Sequence, residues 1–323
     1  MVREAQTSIL ERDFLLEALQ EGSRLDQRAL FEQRPISLSV ADDAQSVDCS
    51  LGNTRSLIEN SICRVVAHVS ASITKPWSDR PFEGLFQVSS EINPMANFIY
   101  ETGRWASFFI YEKSIMTTSV INTYKDSFRS SENEIYISRM LDKSLSRSGV
   151  IDKEALCILA GQMVWSIRLD LHFLNDEGNL LDCASIAAIA ALQTFQRPDV
   201  TLVGEDITIH SLQERVPVPL TLHHTPICLT FGIFELNVSN KPSIVLDPSH
   251  LEEQLSTGTV TLALNPQKEI CVVNKSGGVP LSIDEIMRVV KVGSQKVKEV
   301  DQLIKRLIAK RGTAVDLTAV QDR

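Results

Sequence analysis

The sequence predicts an α+β fold of two halves, each with strands first and helices after them. Three observations carry that expectation. Val65 to Ile73 and Val164 to Phe173 alternate between apolar and polar residues, as half-buried strands do. Asp182-Cys-Ala-Ser185 starts a helix rich in alanine, whose small side chains permit close packing onto a sheet. Beyond the break at Arg215-Val-Pro-Val-Pro219, strand candidates return and a long amphipathic helix follows them.

Taken in order, Ser8 to Leu19 places Ile9, Leu10, Phe14, Leu15, Ala18 and Leu19 in a helical stripe, and Gly22 is positioned to end it. Ile36 to Val40 alternates, Ser46 to Leu51 is a strand, and Gly52-Asn53 is turn chemistry. Val65, Ala67, Val69, Ala71 and Ile73 share one face of a strand that ends near Lys75-Pro76. Ser131-x-x-Glu134 is a capping box opening a helix with Ile137, Met140, Leu141 and Leu145 on its apolar side. In the next strand Trp165, Ile167, Leu169, Leu171 and Phe173 face one way, and Ser166, Arg168, Asp170 and His172 the other. Four strand candidates follow at Thr225 to Phe234, Ser243 to Leu246, Thr259 to Leu264 and Glu269 to Asn274. Ser282 and Glu285 form a second capping box, and the stripe beyond it runs Ile286, Val290, Val297, Val300, Ile304, Leu307, Ile308. The basic residues of that helix, Lys291, Lys296, Lys298, Lys305, Arg306, Lys310 and Arg311, read as a solvated face.

A chain of 323 residues can bury a large core, as one large domain or two ordinary ones. Its net charge of -9 argues against a generally basic nucleic-acid binder, so any RNA contact must be a local patch. Its apolar stretches fall short of the ~20 residues a membrane span needs, and Met1-Val-Arg-Glu-Ala-Gln has no signal-peptide core, so the chain reads as intracellular. Six scattered cysteines with no C-x-x-C pair read as buried, reduced thiols, and His223-His224 as a strand-end pair. No G-x-S-x-G elbow, P-loop or G-x-G-x-x-G is present.

The runs Arg139-Met-Leu-Asp-Lys-Ser-Leu-Ser-Arg147, Asp152 to Gly161, and Leu174-Asn-Asp-Glu-Gly-Asn-Leu-Leu-Asp-Cys183 with the alanine-rich stretch up to Ala190 resemble the core of the RNase PH family. The resemblance covers nearly the whole chain and implies an RNase PH-like fold, two β-α-β-α halves of the ribosomal protein S5 domain 2-like type. Ser23-Arg-Leu-Asp-Gln-Arg28 looks like the family's Arg-x-Asp-Gly-Arg motif with Gln27 in place of glycine, so the turn there is expected to differ. Set against the family pattern, 56–64 and 105–130 look inserted. The second block crowds Trp105, Phe108, Phe109, Tyr111, Tyr124 and Phe128 together, and is either an evolved surface loop or the product of a faulty gene model. The expected division is then 1–28 as an N-terminal helix and opening motif, 29–214 as a first half, and 215–323 as a second half with its long helix.

Phosphorolytic members of the family carry Gly-Gly-Thr-Arg before the alanine-rich helix, where amides, a hydroxyl and a guanidinium hold the attacking phosphate. Here the stretch reads Gly178-Asn179-Leu180-Leu181. Active members also carry two aspartates in the second half, and the aligned positions are Glu253 and Thr259. Threonine is no acid near neutral pH. These losses imply a non-catalytic member, with no catalytic residues, metal or cofactor. Active phosphorolysis through Asp182, Glu252 or Glu253, and a stand-alone RNA-binding module, are the opposing readings.

Cationic geometry remains. Arg139, Lys143 and Arg147 recur every four residues along one side of the capped helix, and such a stripe can track phosphates of single-stranded RNA. Taken from the residues alone, it is equally a solvated face paired with Glu132, Asp142 or Asp152. The resemblance favours RNA, because Arg139 and Lys143 match positions that line the pore in ring subunits. Lys75-Pro-Trp-Ser-Asp-Arg-Pro-Phe-Glu-Gly-Leu85 looks like the family's Asp-Arg-Pro-x-Glu-Gly loop, whose Arg80 could contact RNA or pair with Asp79 or Glu83. Arg104 in Glu101-Thr-Gly-Arg104 completes the RNA-binding candidates. Ile92-Asn-Pro-Met-Ala96, Asp79-Arg-Pro-Phe-Glu-Gly84, Arg197-Pro-Asp-Val200 and Glu214-Arg-x-Pro-Val-Pro219 resemble segments of a non-catalytic ring subunit of the eukaryotic RNA exosome. That subunit type implies a ring of other RNase PH-like subunits, cap subunits above and a hydrolytic nuclease below, with no membrane partner. It further implies rRNA maturation and mRNA turnover in the nucleus, the nucleolus and also the cytoplasm.

Overall fold

Two sheets and the alanine-rich helix between them make up the core. A computed structural model describes residues 7–41, 45–52, 62–97, 100, 132–203, 206–210, 215–235 and 242–321, with the backbone course alone from 310 onward.

The first sheet is built from β1 (Ile36–Val40), β2 (Ser46–Leu51), β3 (Cys63–Thr74), β4 (Leu85–Ile92), β5 (Cys157–Leu159) and β6 (Met163–Asn175), in the order β1-β2-β3-β6-β4 with β5 on β6. Its pairs are antiparallel except β4 with β6, which run parallel. A parallel pair needs a crossover. Part of it is helix α2 (Glu132–Leu141), which continues as a π-helical turn over Asp142–Arg147. Strand β3 starts earlier than its alternation suggested: Cys63 lies opposite Leu51 and Arg64 opposite Ser50. Those two residues, read within the first suspected insertion, are therefore part of the ladder. Block 105–130 and the Ser131 cap lie outside the described residues.

Short strands β7 (Gln196–Arg197), β8 (Val200–Val203), β9 (Asp206–Ile209) and β10 (Val218–Pro219) form two small ribbons. The second sheet, β11 (Ile227–Phe234), β12 (Ser243–Leu246), β13 (Gly258–Leu264) and β14 (Ile270–Gly277), is antiparallel in the order β12-β11-β13-β14.

Helix α3 (Leu180–Thr194) lies between the sheets, with every residue but Gln193 buried. On one side its Cys183 thiol packs 3.7 Å from the Cys49 sulfur of β2. On the other, Ser185 Oγ accepts the Cys228 amide of β11 at 3.1 Å. Alanine at 184, 187, 188, 190 and 191 lets both sheets approach one helix closely, which bulkier side chains would prevent. Cys49, Cys63, Cys183 and Cys228 are buried, while Cys157 and Cys271 are only half-buried.

Helix α1 (Ile9–Gln20) starts at a capping box of Ser8 and Glu11, and its apolar stripe splits. Leu15 and Leu19 pack with Phe234 and Val245, whereas Ile9, Leu10 and Phe14 face outward. After the short helix α4 (His250–Leu255), the last helix α5 (Ile283–Gln321) begins at the expected Ser282–Glu285 box. Its inward line is Val289, Val297, Val300 and Ile304, and Ile286, expected inside, is exposed. Gly293 sets that phase: a Cβ there would come within 2.9 Å of Leu264 Cδ1, so the backbone itself rests on the sheet and residues in line with it are the ones that pack. Among the described residues, no helix is long and apolar enough to cross a membrane.

Candidate functional site

The turn before α3 carries the chemistry the sequence singled out. Gly178 (φ 85) and Asn179 (φ 58) are both left-handed, and a Cβ on Gly178 would fall 2.5 Å from the His250 nitrogen. Glycine is therefore required where the α3 turn meets the start of α4. Asn179 occupies the cap position. Its backbone N–H donates to Glu253 Oε1 at 2.8 Å, and its Nδ2 donates to Asp182 Oδ2 at 2.8 Å and to Asp247 Oδ1 at 2.6 Å. Leu180 and Leu181 follow, 7% and 5% exposed.

Around this turn, the opening segment and the second half supply a buried ionic network that the sequence did not disclose. Arg34 donates from Nε and Nη2 to the two oxygens of Asp247 at 2.9 and 2.7 Å, and from Nη2 to Gly178 O at 2.9 Å. Arg28 Nη1 reaches Asp247 Oδ2 at 3.1 Å. Arg24 forks onto Glu252 and also donates to Leu246 O and Asp247 O, each at 2.9 Å. Arg24 and Arg28 lie in the motif read for its missing glycine, yet Gln27 adopts φ 61, the left-handed turn glycine would make. Losing glycine therefore does not keep this position out of the left-handed region, and Arg24 and Arg28 beside it are tied to Glu252 and Asp247.

Charge states follow from burial. Burial pushes the Glu253 carboxyl up to about 8, against the bond from the Asn179 amide. It likewise pushes Asp182 up to about 7, despite hydrogen bonds from Asn179 and from both the amide and hydroxyl of Thr230. Asp247 is buried too, but the charge and hydrogen bonds of Arg34, with Arg28 and Asn179, hold it well below the usual carboxylate range. Thr259, the other aligned position, lies in β13 opposite Gly232 and Ser276.

The cationic candidates occupy a different place. Ile137, Met140, Leu141, Ser144 and Leu145 are buried, which leaves Arg139, Lys143 and Arg147 on the exposed flank of α2 and its π-turn. Within the π-helical turn Arg147 Nε pairs with Asp142 Oδ2 at 3.1 Å. Arg139 and Lys143 have no ion-pair partner among the described residues. Asp152 instead accepts the amides of Glu154 and Ala155. Arg80, on the β3–β4 connection, pairs with Glu83 at 3.1 Å, one of the two partners its motif offered. Arg104, and the Glu132 side chain offered as a partner, lie outside the described residues.

Residues 33–198 match domain 1 of the 3′ exoribonuclease family (RNase PH), and residues 224–296 match its domain 2. Over 291 residues the chain is 38% identical to "Exosome complex component rrp45" of Schizosaccharomyces pombe, which spans 90% of this chain and 87% of that protein. It is 36% identical over 307 residues to "Exosome complex component RRP45" of Bos taurus, covering 95% of this chain but 61% of that longer protein. Among solved structures, a chain of the Archaeoglobus fulgidus exosome with RNA bound to the active site superposes with a TM-score of 0.67 at 23% identity, over 91% of this chain and 97% of that one. Rice Rrp46 gives 0.55 at 15% identity, over 88% and 100%. At those identities the structures establish the fold.

Proposed function

This chain belongs to the 3′ exoribonuclease family of the RNase PH type, and from that premise we propose that it is a non-catalytic ring subunit of the RNA exosome. Its role is that of scaffold and RNA-path lining for 3′-to-5′ processing and decay, in rRNA maturation and mRNA turnover. Other RNase PH-like ring subunits, cap subunits and an associated hydrolytic nuclease are its partners, in nucleus, nucleolus and cytoplasm. The division near residue 215 belongs to the same proposal.

The observation that carries the non-catalytic reading is the carboxyl of Glu253 on the Asn179 amide. In phosphorolytic relatives the corresponding amides hold the attacking phosphate. Here the donor at the start of α3 is taken by the chain's own side chain, and Leu180 and Leu181 stand where a hydroxyl and a guanidinium would complete the anion site. The rival assignments meet the same obstacle. Asp182 is fully buried under Thr230 and Asn179, Glu252 is buried and tied to Arg24, and the half-buried Glu253 is engaged with the Asn179 amide, so none is free to serve an RNA phosphodiester.

Arg139, Lys143 and Arg147, with Arg80 and Arg104, are the residues we assign to RNA. Support comes from Arg139 and Lys143, which lack an ion-pair partner among the described residues and stand on an exposed flank whose other side is core. Incubating the purified protein with oligoadenylate and inorganic phosphate tests the central claim. The RNA is expected to remain full length; release of nucleoside diphosphate would establish phosphorolysis and overturn it.

A further inference from the structure

We propose that the groove between the first turns of α5 and the β13–β14 turn is a docking site for an acidic, aliphatic peptide segment of a partner protein. The groove encloses about 530 Å3. Leu264 and Val290 form its floor, and Met287, 63% exposed, stands at its lip. Ile283, one turn before Met287 and 79% exposed, extends this apolar track along the helix. Aliphatic side chains left this open recover little solvation from water and suit the anchor residues of a bound segment.

Charge selects the kind of segment. Lys268, Arg288 and Lys291 line the groove against a single carboxylate, Asp284, in a chain whose net charge is -9. The cations are not consumed internally, since neither Lys268 nor Lys291 has an ion-pair partner among the described residues. Arg288 lies with its guanidinium carbon 4.8 Å from the centroid of the Phe31 ring, a contact that fixes the side chain while leaving its donors available. Lys268 is carried on a left-handed residue (φ 72) at the tip of the hairpin, which directs it from the opposite wall. An RNA strand fits this surface less well: among the described residues the lining holds no aromatic ring on which a base could stack, and the nearby Phe31 face is occupied by Arg288. The inference uses none of the residues assigned to RNA above, so either can fail alone.

The test uses the full chain and a short fluorescent peptide of alternating glutamate and leucine, read by anisotropy. Saturable binding is expected, about tenfold weaker for the Lys268→Glu, Lys291→Glu double variant. That variant is further expected to bind a matching lysine–leucine peptide that the wild type does not, a gain that an unfolded protein would not show. Absence of saturable binding by the wild type, or equal affinity in the double variant, overturns the proposal. Displacement of the acidic peptide by oligoadenylate overturns it too, and assigns the groove to RNA.

Discussion

Glu253 is a carboxyl kept where its proton is favoured, and this makes its contribution to stability depend on pH in a definite direction. Burial raises it from 4.5 to about 8 in the folded chain, and Asp182 from 3.8 to about 7. The folded state therefore holds protons that the unfolded state releases. The associated stability is complete below about pH 4, where both states are protonated, and is lost as pH rises through 7 and 8. Replacing Glu253 with Gln keeps an oxygen to accept the Asn179 amide and removes the titration. We expect Glu253→Gln to raise stability at pH 8 by on the order of a few kcal/mol and to leave it nearly unchanged at pH 4, measured by urea unfolding at both values. A variant less stable than wild type at pH 8 would mean that the ionised side chain is a required partner. Asp247 has the opposite sign, its stabilisation being lost in acid. At this scale the sequence was partly legible. Glu253 and the Gly178–Leu181 turn could be found from their neighbours in the chain, whereas Arg34 and Asp247 are 213 residues apart and neither carries a local pattern that announces the pair.

Helix α2 and its π-turn show what periodicity can and cannot reveal. Spacing by four placed Arg139, Lys143 and Arg147 on one flank, and burial of Met140, Leu141 and Leu145 opposite agrees with it. The widened turn was invisible, because nothing in the residue pattern marks i→i+5 bonding, but Asp142 was among the partners the sequence offered the stripe, and it pairs with Arg147. Arg139 and Lys143 have no ion-pair partner among the described residues and are two of the cations we propose for RNA contact. Arg139→Ala with Lys143→Ala should weaken RNA binding by the assembled ring while leaving assembly intact, and should lower the slope of log affinity against log salt by ~0.7 for each phosphate no longer neutralised. Unchanged affinity and slope would remove both residues from the RNA path. Strand β4 escaped prediction for a different reason: Ser90 sits at an inward position between Val88 and Ile92, so the alternation is broken where the strand is paired in parallel with β6. Helix α4, at six residues, is too short for a helical period to show.

Across the whole molecule, one helix serves as the core of both sheets, an arrangement no single stretch of sequence encodes. The alanine-rich composition of α3 foretold close packing but not that two sheets share it. It follows that the halves are coupled, with Gly178 at the contact where the α3 turn meets the backbone of His250. Gly178→Ala combines a left-handed backbone with a steric clash and is expected to destabilise the protein by about 2–5 kcal/mol. Scanning calorimetry should show the loss as a shift of one cooperative transition; an early separate transition for one half would show that they unfold independently.

The same helix imposes an order on biosynthesis. When the ribosome has delivered the chain through Thr194, strands β1 to β6 can cover the Cys183 side of α3, but the partners of Asp182 and Ser185, Thr230 and Cys228, have yet to be translated. A nascent chain paused there presents a helix with an uncovered apolar flank and a carboxyl that has Asn179 but not yet the two Thr230 donors, the kind of surface that chaperones shield. Completion of β11 through β13 is thus the moment at which the earlier two thirds of the polypeptide become safe from aggregation.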